Sequence, residues 1–240
     1  MSLPKKILIT GAALRTGRAI AFALADAGAE LILHANRHFA EVEELKKHLP
    51  GSGHSCISGD LANDSDVKKI CCHAFECDGI VLNASCYRHN YNGGDPDFDR
   101  LLEKVNYLSQ TAILESFISG SINKKCGAAV ALLDQAVCSS EENPYLDSRR
   151  SLWKKMKAFA SAYGEYDLRF NAIAPGPMLP PPELGNTGLV KTLPALPLRR
   201  SVSLEDAAES VKFLLSCQSL TGSLLFVDCG QSLSNRNGVL

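Results

Sequence analysis

The sequence predicts a Rossmann-type α/β fold: one doubly wound, seven-stranded parallel sheet with helices on both faces. Three observations predict it. Short apolar runs alternate with helix-length amphipathic segments along all 240 residues. The runs are continuously apolar, as strands are when both faces are covered. The first run ends in a turn with two glycines and leads straight into an amphipathic helix, the setting in which dinucleotides bind.

The elements follow in order. Residues 5–10 read as strand one, and 15–28 as a helix with Ala19, Ile20, Ala23, Leu24 and Ala27 on one face and Gly28 as its stop. Residues 30–35 form strand two, 39–48 a helix ended by Pro50 and Gly51, and 54–59 strand three. The helix over 63–75 has an acidic first turn, which complements its dipole. Strand four (79–84) leads into a polar loop over 86–96 and a long helix over 97–122. Strand five (128–133), a second long helix (145–164), strand six (168–174), a helix (204–216) and strand seven (223–228) complete the series.

One domain, residues 1–240, accounts for the chain. A net charge of -1 excludes a nucleic-acid binder that works by bulk positive charge. No apolar run approaches the ~20 residues of a membrane-spanning helix. The nine cysteines form no C-x-x-C pair, so they read as reduced thiols in a cytoplasmic protein. His34 and His38 straddle a strand end without further ligands, and no metal site is expected. Seven of the eleven prolines fall between Pro175 and Pro197. They mark either an irregular surface excursion or a substrate loop, about 175–203, after strand six, where open α/β sheets bind ligands.

The first turn, Thr10 to Arg18, reads T-G-A-A-L-R-T-G-R. Gly11 permits a sharp turn, and Gly17 permits close approach of a phosphate to the helix start. At the end of strand two the sequence is His34-Ala35-Asn36-Arg37-His38, without the acid that would hold the ribose 2′-hydroxyl of NAD. Arg37 is placed to pair with a 2′-phosphate, with Arg15 on its other side, which favours NADP(H). Both arginines also read as plain solvated charges.

These features, with Asp60-Leu61 after strand three, Leu82-Asn83-Ala84-Ser85 after strand four, Asn106 in the next helix, a tyrosine near strand five and Pro175-Gly176 after strand six, resemble the short-chain dehydrogenase/reductase family. The resemblance spans essentially the whole chain. Within the family the chain is most similar to the pteridine reductase and dihydrofolate reductase-type branch. The pointers are Arg15-x-Gly17, His34-x-Asn36-Arg37, Asn83-Ala84-Ser85 and an aspartate after strand five.

The resemblance implies roles. Gly11, Arg15, Thr16, Gly17, Asn36 and Arg37 would hold the phosphates, Asp60 and Leu61 the adenine, and Asn83, Ala84, Ser85, Pro175 and Gly176 the rest of the cofactor. Ser85 and Tyr87 would meet the substrate, Tyr87 by stacking on a flat heterocycle. Asn106 would support a water-linked proton path, and Asp134 would pass a proton through Tyr145 to a ring nitrogen. A plain turn cap fits Asp134 equally well, and a packed helix-face residue fits Tyr145.

A free phenol is too weak an acid for this task, so a nearby cation is expected to lower its pKa. One helical turn past Tyr145 stands Arg149, where the family carries lysine, and the larger, planar guanidinium is not a conservative replacement. Asp134 and Tyr145 are 11 positions apart, closer than the branch leads one to expect. Cys229 stands where the family carries glycine. The implied activity is NADPH-dependent reduction of a pterin, dihydrofolate-like or related small conjugated substrate by a homodimer or homotetramer built on the two long helices. Two alternatives stay open: a 3-oxoacyl or other carbonyl reductase, and a catalytically impaired NADP-binding protein.

Overall fold

The computed structural model describes residues 3–178 and 193–234. Its strands are β1 (Lys6–Thr10), β2 (Glu30–Ala35), β3 (Ser55–Ser58), β4 (Gly79–Leu82), β5 (Gly127–Leu132), β6 (Leu168–Pro175) and β7 (Leu224–Val227). They form one sheet in the order β3-β2-β1-β4-β5-β6-β7, and every pair is parallel. The order reverses beside β1, so β1 and β4 diverge in their connections and leave a crevice at their carboxyl ends.

The apolar runs are continuous because alternate residues feed two cores. Ile7, Ile9, Leu31, Leu33, Val81 and Val130 face one side. There they meet α1 (Arg15–Asp26), α2 (Phe39–His48) and α7 (Leu204–Ser216). Leu8, Ile32, Ile80, Leu82, Ala129 and Ala131 face the other side, against α3 (Asp64–Glu76), α5 (Ser109–Ser121) and α6 (Pro144–Ala162). A short α8 (Gln231–Ser234) follows the last strand.

Side chains cap four of the helices. Asn63, Asp95, Asn143 and Ser203 accept backbone N–H bonds at the starts of α3, α4 (Pro96–Glu103), α6 and α7. The start of α1 differs: Leu14 gives it no side-chain cap, and its first turn holds no acid. Those amides face the crevice end of β1.

The helix expected over 97–122 is not continuous. Between α4 and α5 lies one wide turn, Lys104–Leu108, with π-type hydrogen bonding. Such turns insert an extra residue and turn a side chain off the regular stripe; here that side chain is Asn106. The helix expected over 15–28 stops at Asp26, and strand four ends at Leu82, two residues early. The 79–84 run outlasts its strand because Asn83 and Ala84 bind Thr10 instead of a neighbouring ladder. Of the expected substrate loop, residues 179–192 lie outside the described residues.

Candidate active site

A cleft of about 750 Å³ runs across the carboxyl ends of the central strands. Its floor at one end is the first turn. Gly11 has φ +67°, and a Cβ on Gly17 would stand 2.1 Å from the Gly11 carbonyl oxygen. Only glycine fits at 17, and the helix start is thereby pulled tight against β1. The Thr10 hydroxyl accepts from the N–H groups of Asn83 and Ala84, both at 3.0 Å. The Asn83 side-chain amide donates to the carbonyls of Thr10 and Gly11 at 3.1 and 2.8 Å. These bonds tie the two loops that border the crevice.

His34 is a third tie. It is 2% exposed; Gly11 N–H donates to its Nδ1 at 3.3 Å, and its Nε2 donates to the Gly59 carbonyl at 3.0 Å. This uses both ring nitrogens of a neutral imidazole, and burial pushes the pKa down accordingly. Arg15, Thr16, Asn36 and Arg37 line the same end of the cleft, with Asp60 and Leu61 beside them. Arg15 adopts φ +51°, a left-handed conformation in a non-glycine residue. No carboxylate stands at the end of β2.

The other end of the cleft holds Asn83, Ala84, Ser85, Tyr87, Tyr145, Arg149 and Pro175. Gly176 is not part of the wall. Its N–H donates to the Val227 carbonyl, and a Cβ there would press on the Asp228 backbone at 2.7 Å, so its glycine serves strand packing.

Tyr145 stands in the first turn of α6, with its ring edge-on to Tyr87 at 5.0 Å between centroids. The Ser85 hydroxyl and the Asp134 carboxyl both act electrostatically on its phenol, the first to lower its pKa and the second to raise it. Burial pushes the phenol up to about 12, against the opposing pull of Arg149. The cation that was expected to lower this pKa is present and acts in that direction; desolvation outweighs it. Burial also pushes the Asp134 carboxyl up, and the Ala136 N–H, Arg149 and Tyr145 pull it back only in part. Asp134 does cap a turn, accepting from Ala136 N–H at 2.8 Å. The cap and the electrostatic coupling to Tyr145 coexist.

Arg149 is 1% exposed. Its Nη2 donates to the Leu132 carbonyl, while Nε and Nη1 are buried with no partner among the described residues. Buried unpaired guanidinium nitrogens are costly, and they border the cleft.

Asn106 is fully buried behind the cleft wall rather than in it. Its Oδ1 accepts from the Cys86 N–H at 2.7 Å and from the Ser85 hydroxyl at 3.3 Å. Its amide donates to the Cys86 carbonyl at 2.9 Å and to the Ser148 hydroxyl at 3.2 Å. The side chain holds the Ser85-Cys86 loop, with its amide protons engaged by protein. Sequence reasoning missed Gln110, one turn on, which donates to the Ala84 carbonyl at 3.0 Å; the i, i+4 spacing from Asn106 was its signal. It also missed Arg150, whose partners lie in an irregular loop with no periodicity to read.

A family model described as enoyl-(acyl carrier protein) reductase matches residues 11–232. The chain belongs to the short-chain dehydrogenase/reductase family. It is 29% identical to the oxidoreductase UcpA of Salmonella typhimurium over 95% of each chain. It is 28% identical to L-xylulose reductase of Caenorhabditis elegans over 95% of this chain and 96% of that one. Among solved structures it superposes with a TM-score of 0.85 on FolM alternative dihydrofolate reductase 1 of Brucella suis in complex with NADP, at 26% identity over 95% of each chain. Enzymes of this family are oxidoreductases that use a nicotinamide cofactor. The residues present fit one: a glycine cradle with no room for a Cβ, an uncapped helix start for phosphate and unpaired Arg149 donors for hydroxyls.

Proposed function

We propose that the protein is an NADPH-dependent reductase of a pterin, dihydrofolate-like or related small conjugated substrate in the cytoplasm. The observation that carries this reading is the edge-on pair of Tyr87 and Tyr145 lining the cleft, 5.0 Å between centroids, with the half-exposed Tyr87 ring beside a phenol on which the Asp134 carboxyl acts. It joins a proton-holding carboxyl, a phenol and an aromatic edge for a flat heterocycle.

The cofactor reading rests on the absence of a carboxylate after β2 and on Arg15 and Arg37 at that end of the cleft. Guanidinium groups suit a 2′-phosphate by their bidentate geometry. Gly11, Thr16, Gly17 and Asn36 would hold the remaining phosphates and ribose, and Asp60 and Leu61 the adenine. Asn83, Ala84, Ser85, Pro175 and Arg149 would border the nicotinamide half, with Arg149 offering its free nitrogens to ribose hydroxyls.

When bound, the reduced nicotinamide supplies a hydride. The chain's own residues supply the proton. Tyr145 donates from its hydroxyl to a substrate nitrogen, and Asp134 returns a proton to the phenol oxygen. Burial pulls the Arg149 pKa down from its very high ordinary value, and Tyr145 and Asp134 hold it up; the guanidinium orients and stabilises but passes no proton. Asn106, with its amide engaged by Cys86 and Ser148, acts by fixing Ser85 and the wall above it. We also propose that copies associate as a homodimer or homotetramer through the faces around α4–α6, where Leu108 lies 46% exposed; sedimentation velocity tests it.

The testing experiment mixes purified protein and NADPH with dihydropterins, dihydrofolate, ketones and 3-oxoacyl thioesters, following cofactor oxidation at 340 nm (roughly the nicotinamide band). Turnover confined to the pterin bicycle, lowered by Tyr87→Ala, supports the proposal. Turnover confined to ketones or 3-oxoacyl thioesters overturns it. Tight NADPH binding with no turnover marks an impaired enzyme.

A further inference from the structure

A second cavity, of about 250 Å³, opens on the far side of the Tyr87–Tyr145 ring pair. Among the described residues, the two tyrosines and no others line this cavity and the main cleft alike. A heterocycle seated against Tyr87 would therefore point its substituent into it. The cavity is bordered by the carboxyls of Asp134 and Glu141, the amides of Asn90 and Asn92, and Arg88.

Arg88, its one basic residue among the described residues, is already engaged. Arg88 Nη1 pairs with Asp95 at 3.3 Å, and the guanidinium carbon lies 3.7 Å over the Phe98 ring and 5.2 Å from the Tyr91 ring. Among the described residues the Glu141 carboxylate makes no ion pair, while Arg150 binds its backbone carbonyl at 2.6 Å; its Oε1 accepts from the Asn143 amide at 2.8 Å, and its charge adds to burial in raising the Asp134 pKa. The available charge in the cavity is thus negative, among amides that donate and accept equally.

We propose that this cavity is the subsite for the substrate's side chain, and that it selects a neutral, hydroxyl-bearing tail over a carboxylate-bearing one. The inference rests on the pterin reading above and sharpens it. An unconjugated dihydropterin fits the subsite, and a dihydrofolate, with its two terminal carboxylates, meets Glu141. Glu141 is the specificity-determining residue. It lies in an exposed loop, so its replacement leaves the fold intact.

The experiment compares three substrates with one ring system: a dihydropterin with a neutral dihydroxypropyl tail, dihydrofolate, and the neutral diamide of dihydrofolate. The diamide separates charge from size. Expected is a kcat/KM for dihydrofolate about tenfold below that of its diamide, expressed in KM, since one uncompensated charge at short range in a partly wet site acts on this scale. Glu141→Gln shrinks the gap about threefold or more, and so does raising the ionic strength. Equal kcat/KM for dihydrofolate and its diamide, or a gap that neither Glu141→Gln nor salt moves, overturns the subsite. If none of the three is reduced while ketones are, the proposed function itself fails, and this inference with it.

Discussion

Burial sets the chemistry of Asp134. The carboxyl is pushed up by desolvation more than its three partners pull it down. In the folded chain it therefore binds its proton more tightly than in the unfolded chain. Stability falls as pH rises from the ordinary carboxylate value of about 4 to the raised folded pKa. Asp134→Asn removes this slope, and thermal melts of both proteins across acid and neutral pH measure it; parallel curves would refute the raised pKa. The same variant removes the group that reprotonates Tyr145, so turnover drops while NADPH binding holds. Arg149 presents the opposite balance. It is a buried cation with two unpaired nitrogens, and such groups stabilise poorly. Arg149→Met is expected to leave the melting temperature unchanged or higher, yet lower kcat/KM by roughly 10²-fold, the scale for removing one preorganised donor that stabilises developing charge. Arg149→Lys retains a charge but loses the fork that reaches Leu132, and is expected to lower activity less. A rise in activity on Arg149→Lys would instead mark the arginine as a lesion.

At the scale of the element, the segment between β5 and α6 decides the geometry. It must cover the distance from Asp134 to Tyr145 in 11 steps, without a strand or long helix of its own. Arg150 organises it from nearly two turns inside α6. Its Nε donates to the Val137 carbonyl at 3.1 Å, and its Nη2 to the carbonyls of Ser139 and Glu141 at 2.9 and 2.6 Å. Its Nη1 pairs with Asp147 at 3.0 Å. One guanidinium thus fastens the loop that carries Asp134 and Glu141 onto the helix that carries Tyr145. Arg150→Gln is expected to lower kcat by up to roughly 10²-fold, the penalty for misplacing an acid by about 1 Å. The Kd for NADPH should not change, because the phosphate end of the cleft lies on other elements. Arg150→Lys, a point charge without the fork, should rescue only part. Equal losses in kcat and NADPH affinity would show general unfolding instead. Regular elements of this kind were legible from their apolar periodicity, and the loop was not, because its order comes from one side chain meeting several backbone carbonyls. The wide turn at Asn106 escaped for a related reason: a π-type turn leaves the surrounding helical stripe nearly unchanged in sequence. Cys229 shows the reverse case, since its φ of +53° is the conformation that favours the family's glycine at that position.

For the whole molecule, the legible part was the topology and the composition of the cleft. Seven apolar runs imply seven parallel strands once both faces are covered, and parallel strands with helical crossovers gather their carboxyl ends on one edge. Gly11, Arg15, Gly17, Arg37, Asp60 and Asn83 are spread over more than 70 positions, yet that topology alone brings them to one cleft. Sequence could not show the balance of burial against charge at Tyr145, because desolvation depends on everything packed around the phenol. The same gathering of distant residues makes ligand binding a property of the entire fold. A dinucleotide that contacts the ends of β1, β2, β3 and β4 binds the native state alone, so saturation stabilises the whole domain. At 100 times Kd the gain is about 2.7 kcal/mol, which for a chain of this size raises the melting temperature by roughly 5–10 °C. NADPH is expected to give that shift at concentrations where NADH gives little, because Arg15 and Arg37 have no 2′-phosphate to hold in NADH. Gly17→Ala should abolish the shift with both, since its Cβ would stand against the Gly11 carbonyl and force the cradle open. An equal shift with the two nucleotides, or a larger one with NADH, would remove the basis for an NADP(H) enzyme.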